Sequence, residues 1–275
     1  MSLTHTPTPL LQLSRAEFGG VRDFMLARTG VSLSEQKQAL ICGRLARRIA
    51  DLGLTSVADY LKLLGGADAG EEVQQAINLL TTNETHFFRE AQHLDFLRRQ
   101  LPALQRPGQT LRVWSAACSS GEEPYSLAMV LAETLGLSGW EVLGTDISSQ
   151  VLRRAVQAVY PLERARQMPA ASLQRWCRRG RDEFDGQFLV NRELRERVRF
   201  GLLNLNAPLP QLGRFQLIFL RNVMIYFDDA TRLAVLNRVL AQLEPGGYLV
   251  IGRSESLHGL GLRLEGVEPA IYRKP

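Results

Sequence analysis

The chain has 275 residues, of which 45% are hydrophobic, 22% charged and 7% aromatic, enough apolar material for a sizeable core and unlike a disordered or fibrous chain. Thirty-three basic against 28 acidic side chains leave a formal charge of +5. Three scattered cysteines (Cys42, Cys118, Cys177) exclude a disulfide framework, four histidines without HExxH spacing offer no metal site, and no run of 18 apolar residues could span a membrane. Met1–Leu13 lacks the basic start and long apolar core of a signal peptide, so a soluble protein of the cytoplasm is expected, without stable membrane insertion. The positive surplus is local. Residues 1–100 carry eleven basic and eleven acidic side chains, whereas residues 151–200 carry twelve and six, which suits an anionic partner or a solvated arginine-rich face.

The threonine- and proline-rich first 13 residues are expected to fray. Ser14 with Glu17 three places on forms a capping box that opens a helix to about Arg28, and Gly30 interrupts it. A second helix runs from Ser34–Lys37 to Asp51, with Leu40, Ile41, Leu45 and Ile49 as its buried stripe and Arg44, Arg47 and Arg48 on the other side. Ser56–Leu64 and Glu71–Leu80 read as two more helices, so residues 14–80 form an N-terminal helical domain. Its arginine face fits either an acidic helical partner or plain solvent. Pro102, Pro107 and Gly108 break the chain within a linker over 81–109.

From residue 110 to 275 strand and helix alternate: Leu111–Ala116, a helix from Pro124 to about Leu135, Glu141–Thr145 closed by Asp146, and a helix over Val151–Val159. Phe215–Leu220, a helix over Ala230–Leu243 and Tyr248–Ile251 follow, the rhythm of an α/β parallel sheet covered on both faces. Residues 175–200 break that rhythm with a charged, glycine-containing stretch and a short strand at Gln187–Val190, read as an inserted antiparallel β-subdomain.

Three runs concentrate polar chemistry. Trp114-Ser-Ala-Ala-Cys-Ser-Ser-Gly-Glu-Glu-Pro-Tyr125 joins the first strand to its helix, where a dinucleotide site would need GxGxxG. It offers Gly121 alone, and Glu122 and Glu123 would repel a pyrophosphate. Asp146, 25 residues on, suits the two hydroxyls of a ribose, so the pocket fits a phosphate-free nucleoside with a positive centre such as S-adenosylmethionine. The competing view is that both acids only favour a helix start. Thr81-Thr-Asn-Glu-Thr-His-Phe-Phe-Arg-Glu90 sets Asn83, Thr85, His86 and Arg89 around an apolar pair, either a cleft segment anchored by its phenylalanines or a packed linker. Leu220-Arg-Asn-Val-Met-Ile-Tyr-Phe227 places Arg221, Asn222 and Tyr226 at the ligand-binding end of a strand, with a loop-filling tyrosine as the alternative.

With Leu143-Gly-Thr-Asp-Ile-Ser148 and Gly252-Arg-Ser-Glu-Ser256, these runs resemble the chemotaxis receptor glutamate methyltransferases of the CheR family, over about residues 14–273. The resemblance implies an N-terminal all-helical domain that docks on the receptor, then a Rossmann-like methyltransferase domain with a small inserted antiparallel β-subdomain. It implies S-adenosylmethionine as cofactor, S-adenosylhomocysteine as product, and glutamates of the chemoreceptor's cytoplasmic helical domain as substrate, with no nucleic acid, no metal and a monomeric enzyme. By the same resemblance the cofactor contacts fall on Asn83, Thr85, Arg89, Ala117, one of Glu122 and Glu123, Asp146, Asn204, Leu205 and Asn222. Arg89 and Tyr226 match the residues that organise the substrate carboxylate and the transferring methyl, and Arg44, Arg47 and Arg48 would meet the receptor. Two departures stand out: Leu220 replaces a usual cysteine and should change packing only, whereas Arg253 replaces a usual histidine and adds a permanent charge on the substrate side. Rival readings are a methyltransferase for another signalling protein and a non-catalytic S-adenosylmethionine-binding module.

Overall fold

A computed structural model describes residues 13–275, so the expected fraying and the reading of the first twelve residues lie outside the described part. The chain divides into two compact units, Met1–Thr81 and Thr82–Pro275.

The first unit contains four described α-helices: α1 (Arg15–Thr29), α2 (Gln38–Asp51), α3 (Val57–Leu64) and α4 (Gly70–Leu80). The capping box forms as its spacing predicts, with Ser14 N–H donating to Glu17 at 2.9 Å and Glu17 N–H to Ser14 Oγ at 3.2 Å. Gly30, left-handed at φ 75°, closes α1. Phe18, Val21, Met25, Ile41, Leu45, Ile49, Val57, Tyr60 and Leu64 meet in the core. The stripe on α2 is narrower than the sequence predicts: Leu40 is 49% exposed, because it lies one position round the helix from Ile41.

The arginines of α2 divide by role. Arg44 donates to the carbonyls of Leu79 and Thr81 at 3.1 and 2.9 Å, serving acceptors that the end of α4 leaves open. Arg48 pairs with Glu72, to which Tyr60 also donates at 2.6 Å. Of the three, Arg47 is exposed, and Arg44 and Arg48 are half-buried. The picture of all three as a solvated face is corrected accordingly, since two of them bind the helices together.

In the second unit α5 (Ala91–Leu104) occupies much of what the sequence presents as a linker. Its Leu94, Phe96, Leu97 and Leu101 are buried, and Pro102 sits inside its last turn. Then follow β1 (Leu111–Ser115), α6 (Glu122–Leu135), β2 (Trp140–Asp146), α7 (Ser149–Gln157), β3 (Val159–Pro161), α8 (Ala170–Trp176), β4 (Cys177–Arg179), β5 (Gln187–Val190) and α9 (Arg192–Arg195). The unit ends with β6 (Val198–Leu202), β7 (Phe215–Leu220), α10 (Asp229–Gln242), β8 (Leu243–Ile251), β9 (Glu265–Glu268) and β10 (Ile271–Arg273).

Seven strands form one mixed sheet in the order β6-β2-β1-β7-β8-β10-β9, parallel from β6 to β8 and antiparallel over the last two pairings. Strand β1 lies between β2 and β7, with Val113 opposite Val142 on one side and Leu217 on the other, which accounts for its almost unbroken burial. The small antiparallel sheet, in the order β3-β5-β4, draws its first strand from Val159–Pro161, before the stretch marked out as an insertion. Val198–Leu202, which begins inside that stretch, instead pairs with β2 as an edge of the main sheet. The helix expected over Val151–Val159 ends at Gln157, where Ala158 turns left-handed at φ 56° and frees the chain for β3.

Glu72 ties the helical unit together, and the Arg48 and Tyr60 hydrogen bonds hold its carboxyl below the usual carboxylate range. Its contribution is present above the unfolded glutamate value of about 4.3 and fades as pH falls through the lowered folded value. Glu72→Gln should therefore cost about 1–2 kcal/mol in urea unfolding at pH 7 and much less near pH 3; an equal cost at both would assign the effect to shape alone.

Candidate functional site

The loop after β1 is pinned by both neighbouring strands. Trp114 Nε1 donates to Thr145 Oγ1 at 2.9 Å, Cys118 N–H to the Thr145 carbonyl at 2.9 Å, and Ala116 N–H to the Phe219 carbonyl at 2.8 Å. Gly121 is required twice over: its φ is 95°, and a Cβ there would lie 2.8 Å from that of Ala155 and 2.9 Å from the Tyr160 hydroxyl. Burial pushes the Cys118 thiol well up, so it is no nucleophile.

Asp146 ends β2 and is buried. Its Oδ2 accepts Ser119 N–H at 2.8 Å and its Oδ1 accepts Ser148 N–H at 2.9 Å. Burial raises its pKa, and these backbone donors oppose the rise. Its carbonyl accepts Leu203 N–H at 2.9 Å, which fixes the segment carrying Asn204 and Leu205. Ser119 Oγ donates to the Asn83 carbonyl at 3.0 Å, so three separate stretches meet at this strand end.

The run from Asn83 to Glu90 is anchored by its aromatics. Phe87 is fully buried, its ring 4.9 Å from Tyr160 and 5.4 Å from Phe188. Phe88 N–H donates to Ser126 Oγ at 3.0 Å, and Thr85, itself buried, accepts on its carbonyl from Arg164. Phe88 and Glu90 both lie at φ 56°, so left-handed residues flank Arg89 on either side. The Arg89 guanidinium donates to the Glu84 carbonyl at 3.0 Å.

Arg221, at the end of β7, holds that strained turn. Its Nη1 donates to Glu123 at 2.7 Å and its Nη2 to the Arg89 carbonyl at 2.7 Å, with Glu90 at 3.3 Å. The side chain is 3% exposed, so the cation depends on these partners. Burial, with the Arg221 charge next, holds His93 down to about 4 and hence neutral near pH 7.

The two adjacent acids separate clearly. Glu123 accepts from Ser115 Oγ at 2.7 Å with one oxygen and from Arg221 with the other. Glu122, 1% exposed, accepts from Ser120 Oγ at 2.7 Å, lies 3.7 Å from Arg164, and has its pKa raised by burial. Both acids therefore build the loop.

Ala117 is half-buried in the loop, and Asn222 and Tyr226 lie in the turn beyond β7, Asn222 at φ 57°. The turn's backbone is held by Glu255, which belongs to the Gly252–Ser256 motif but was not among the predicted site residues. Arg221 was expected at the ligand-binding end of its strand, yet its partners lie 98 and 132 residues away, beyond any local pattern. Leu220 is fully buried, consistent with a packing role, and Arg253 is exposed, with its N–H 3.2 Å from Glu90. Arg44, Arg47 and Arg48 belong to the other unit.

The loop's chemistry tests the ligand class. The N–H groups of Ala116, Cys118, Ser119 and Gly121 all bond within the protein, and a phosphate at the start of α6 would meet Glu122 and Glu123 in its first turn. Carboxylates and carbonyls gather instead, above all Asp146 at the carboxyl edge of β2, matching ribose hydroxyls and a positive centre. The residues present thus fit S-adenosylmethionine, and fold and site define a Rossmann-like methyltransferase domain that uses it.

Two family models match the chain: "CheR methyltransferase, all-alpha domain" over residues 16–81 and "CheR methyltransferase, SAM binding domain" over residues 83–270. The chain is 42% identical to the chemotaxis protein methyltransferase of Escherichia coli (strain K12) over 265 residues, covering 95% of this chain and 92% of that one. It is 41% identical to chemotaxis protein methyltransferase 2 of Pseudomonas aeruginosa over 281 residues, covering 98% of each. Among solved structures, N-methyltransferase NodS from Bradyrhizobium japonicum WM9 aligns with a TM-score of 0.41 at 15% identity, covering 68% of this chain and 97% of that one. The protein belongs to the CheR methyltransferase family and is an S-adenosylmethionine-dependent enzyme of chemotaxis.

Removing the Arg221 guanidinium would leave Glu123 and Glu90 facing each other without their cation. Arg221→Ala should cost about 3–5 kcal/mol in urea unfolding, against a surface control such as Arg192→Ala within about 0.5 kcal/mol. Equal, small losses would show that the buried cation is not a structural centre.

Proposed function

We propose that the enzyme, acting as a monomer in the cytoplasm, methylates glutamate side chains on the cytoplasmic helical domain of bacterial chemoreceptors. The products are glutamate methyl esters and S-adenosylhomocysteine. The observation that carries this reading is Arg89, its carbonyl gripped by Arg221 and its backbone set between two left-handed residues. A cation carried on so fixed a backbone, its guanidinium resting on the Glu84 carbonyl, suits the capture and aiming of a carboxylate. The naming of the relatives as chemotaxis protein methyltransferases supports the receptor as target.

When bound, the cofactor supplies a methyl group activated by a sulfonium. Asp146 would take the ribose hydroxyls, Asn204 and Leu205 would flank the adenine, and Asn83, Thr85, Arg89, Ala117 and Asn222 would complete the pocket. Glu122 and Glu123 act from behind it, by holding the loop and Arg221. A glutamate with a pKa of about 4.3 is ionised near neutrality, so its oxygen is nucleophilic without a general base. Arg89 steers that carboxylate and Tyr226 positions it, so alignment and partial desolvation account for most of the acceleration.

The helical domain, about residues 14–80, docks on the receptor, and residues 81–109 bring Asn83–Arg89 to the methyltransferase domain of 110–275. The insertion within 175–200 holds the β4–β5 hairpin. With Arg44 and Arg48 engaged inside the helical unit, Arg47 is the arginine of α2 offered to an acidic receptor helix.

Incubation with methyl-labelled S-adenosylmethionine and receptor-containing membranes should label a receptor band that releases methanol in mild base. Base-stable label would indicate nitrogen methylation and overturn the glutamate assignment. Arg89→Ala should lower turnover about 100-fold or more while S-adenosylhomocysteine affinity changes by only about threefold; unchanged turnover would remove Arg89 from the chemistry. Arg47→Glu should raise KM for receptor with cofactor affinity intact, and an unaltered KM would leave Arg47 as plain surface.

A further inference from the structure

The loop Gly252–Ser256 follows β8 and has no role in the chemistry above. β7 and β8 are parallel neighbours, with Leu220 opposite Ile251, so the loops beyond them leave the sheet side by side. One carboxylate joins those loops. Glu255 Oε2 accepts N–H from Gly252 at 2.7 Å and from Asn222 at 2.9 Å, and Oε1 accepts N–H from Met224 at 2.8 Å. We propose that Glu255 is a positioning residue for methyl transfer, whose carboxylate fixes the turn that presents Asn222 and Tyr226. The proposal rests on the placement of those two residues in the site.

The turn needs an external hold. Asn222 is left-handed at φ 57°, a conformation that costs a residue with a Cβ and persists only where surroundings enforce it. The short helical turn Met224–Tyr226 begins where the Glu255 carboxylate takes the Met224 N–H. Gly252 lets the two loops close up: a Cβ there would lie 2.6 Å from Asn222 Nδ2, 2.8 Å from Glu255 Oε2 and 3.0 Å from Asn222 N. The Asn222 side-chain amide is thus seated against the Gly252 backbone, and its position depends on the same clamp. Arg221, next in sequence, carries the contacts to Arg89 and Glu123, so the clamp borders the residues that organise the substrate carboxylate.

Charge and geometry both require glutamate. A carboxylate offers acceptors on both oxygens, and here both are used. Glutamine replaces one oxygen by an NH2 group that cannot accept. Whichever way its amide turned, it would set donor against donor, at Met224 or at the Gly252–Asn222 pair. Aspartate keeps both acceptors but is one methylene shorter and cannot span the loops without moving them.

The test is a double-mutant cycle on the full chain, read by calorimetric binding of S-adenosylhomocysteine, receptor methylation kinetics and thermal midpoint. Glu255→Gln should bind S-adenosylhomocysteine about tenfold more weakly and lower kcat at least about tenfold, with KM for receptor nearly unchanged. Glu255→Gln combined with Asn222→Ala should bind no more weakly than Asn222→Ala alone, because the glutamate acts through that side chain. Combined with Tyr226→Phe it should likewise add little further loss in kcat. Should Glu255→Gln fail to fold, Glu255→Asp and Gly252→Ala carry the same cycles, since each perturbs the clamp from a different side. A folded Glu255 variant with unchanged affinity and kcat overturns the proposal, as does full additivity with both partners. If Asn222→Ala and Tyr226→Phe are themselves silent, the placement of those residues in the site fails first, which separates that failure from a failure of Glu255.

Discussion

A buried guanidinium organises the methyltransferase unit. Arg221 gives one nitrogen to Glu123 at the start of α6 and another to the Arg89 carbonyl, with Glu90 alongside. Removed from water, such a cation is tolerable only with closely matched acceptors, and here they come from two separate stretches of chain, residues 89–90 and Glu123. The constraint works in both directions. The acids keep Arg221 buried, and Arg221 keeps the left-handed turn around Arg89 in place.

The same logic of compensated burial recurs around the cofactor loop. Asp146 loses hydration at the end of β2 but accepts backbone N–H groups from Ser119 and Ser148. Glu122 is deeply buried and has Ser120 and Arg164 for company. Acids that look like a repulsive pair in the sequence are thus separated by their partners, one turned to Ser120 and Arg164, the other to Ser115 and Arg221. With four of the loop's N–H groups bonded and two acids opening α6, the site is rich in acceptors, which distinguishes it from a phosphate cradle.

In the helical unit, side chains that read as surface charge also serve the interior. Arg44 closes the end of α4, and Arg48 shares Glu72 with Tyr60. A long side chain can lie along an apolar face and still deliver its charge to an internal acceptor, so helical periodicity alone does not separate a docking arginine from a structural one. Arg47, one position from Arg48 on the helix, has the exposure that both neighbours lack.

Signals that act within a few residues were legible in the sequence: the Ser14–Glu17 capping box, the break at Gly30, the apolar run of β7, and the motifs that resemble the CheR family. Other elements were hidden by their own composition. Pro102 disguised α5 as a linker, and the arginine and glycine of Val198–Leu202 disguised an edge strand whose partner, β2, lies far back in the chain. The sequence by itself thus determined the local elements, the ligand class and the residues worth suspecting. Only the tertiary structure decided which acid serves which cation, which arginines are spent inside, and that Glu255 clamps two neighbouring loops. Hydrogen bonds and ion pairs between distant segments leave no periodic trace, since their geometry exists only once the sheet has brought the strand ends together.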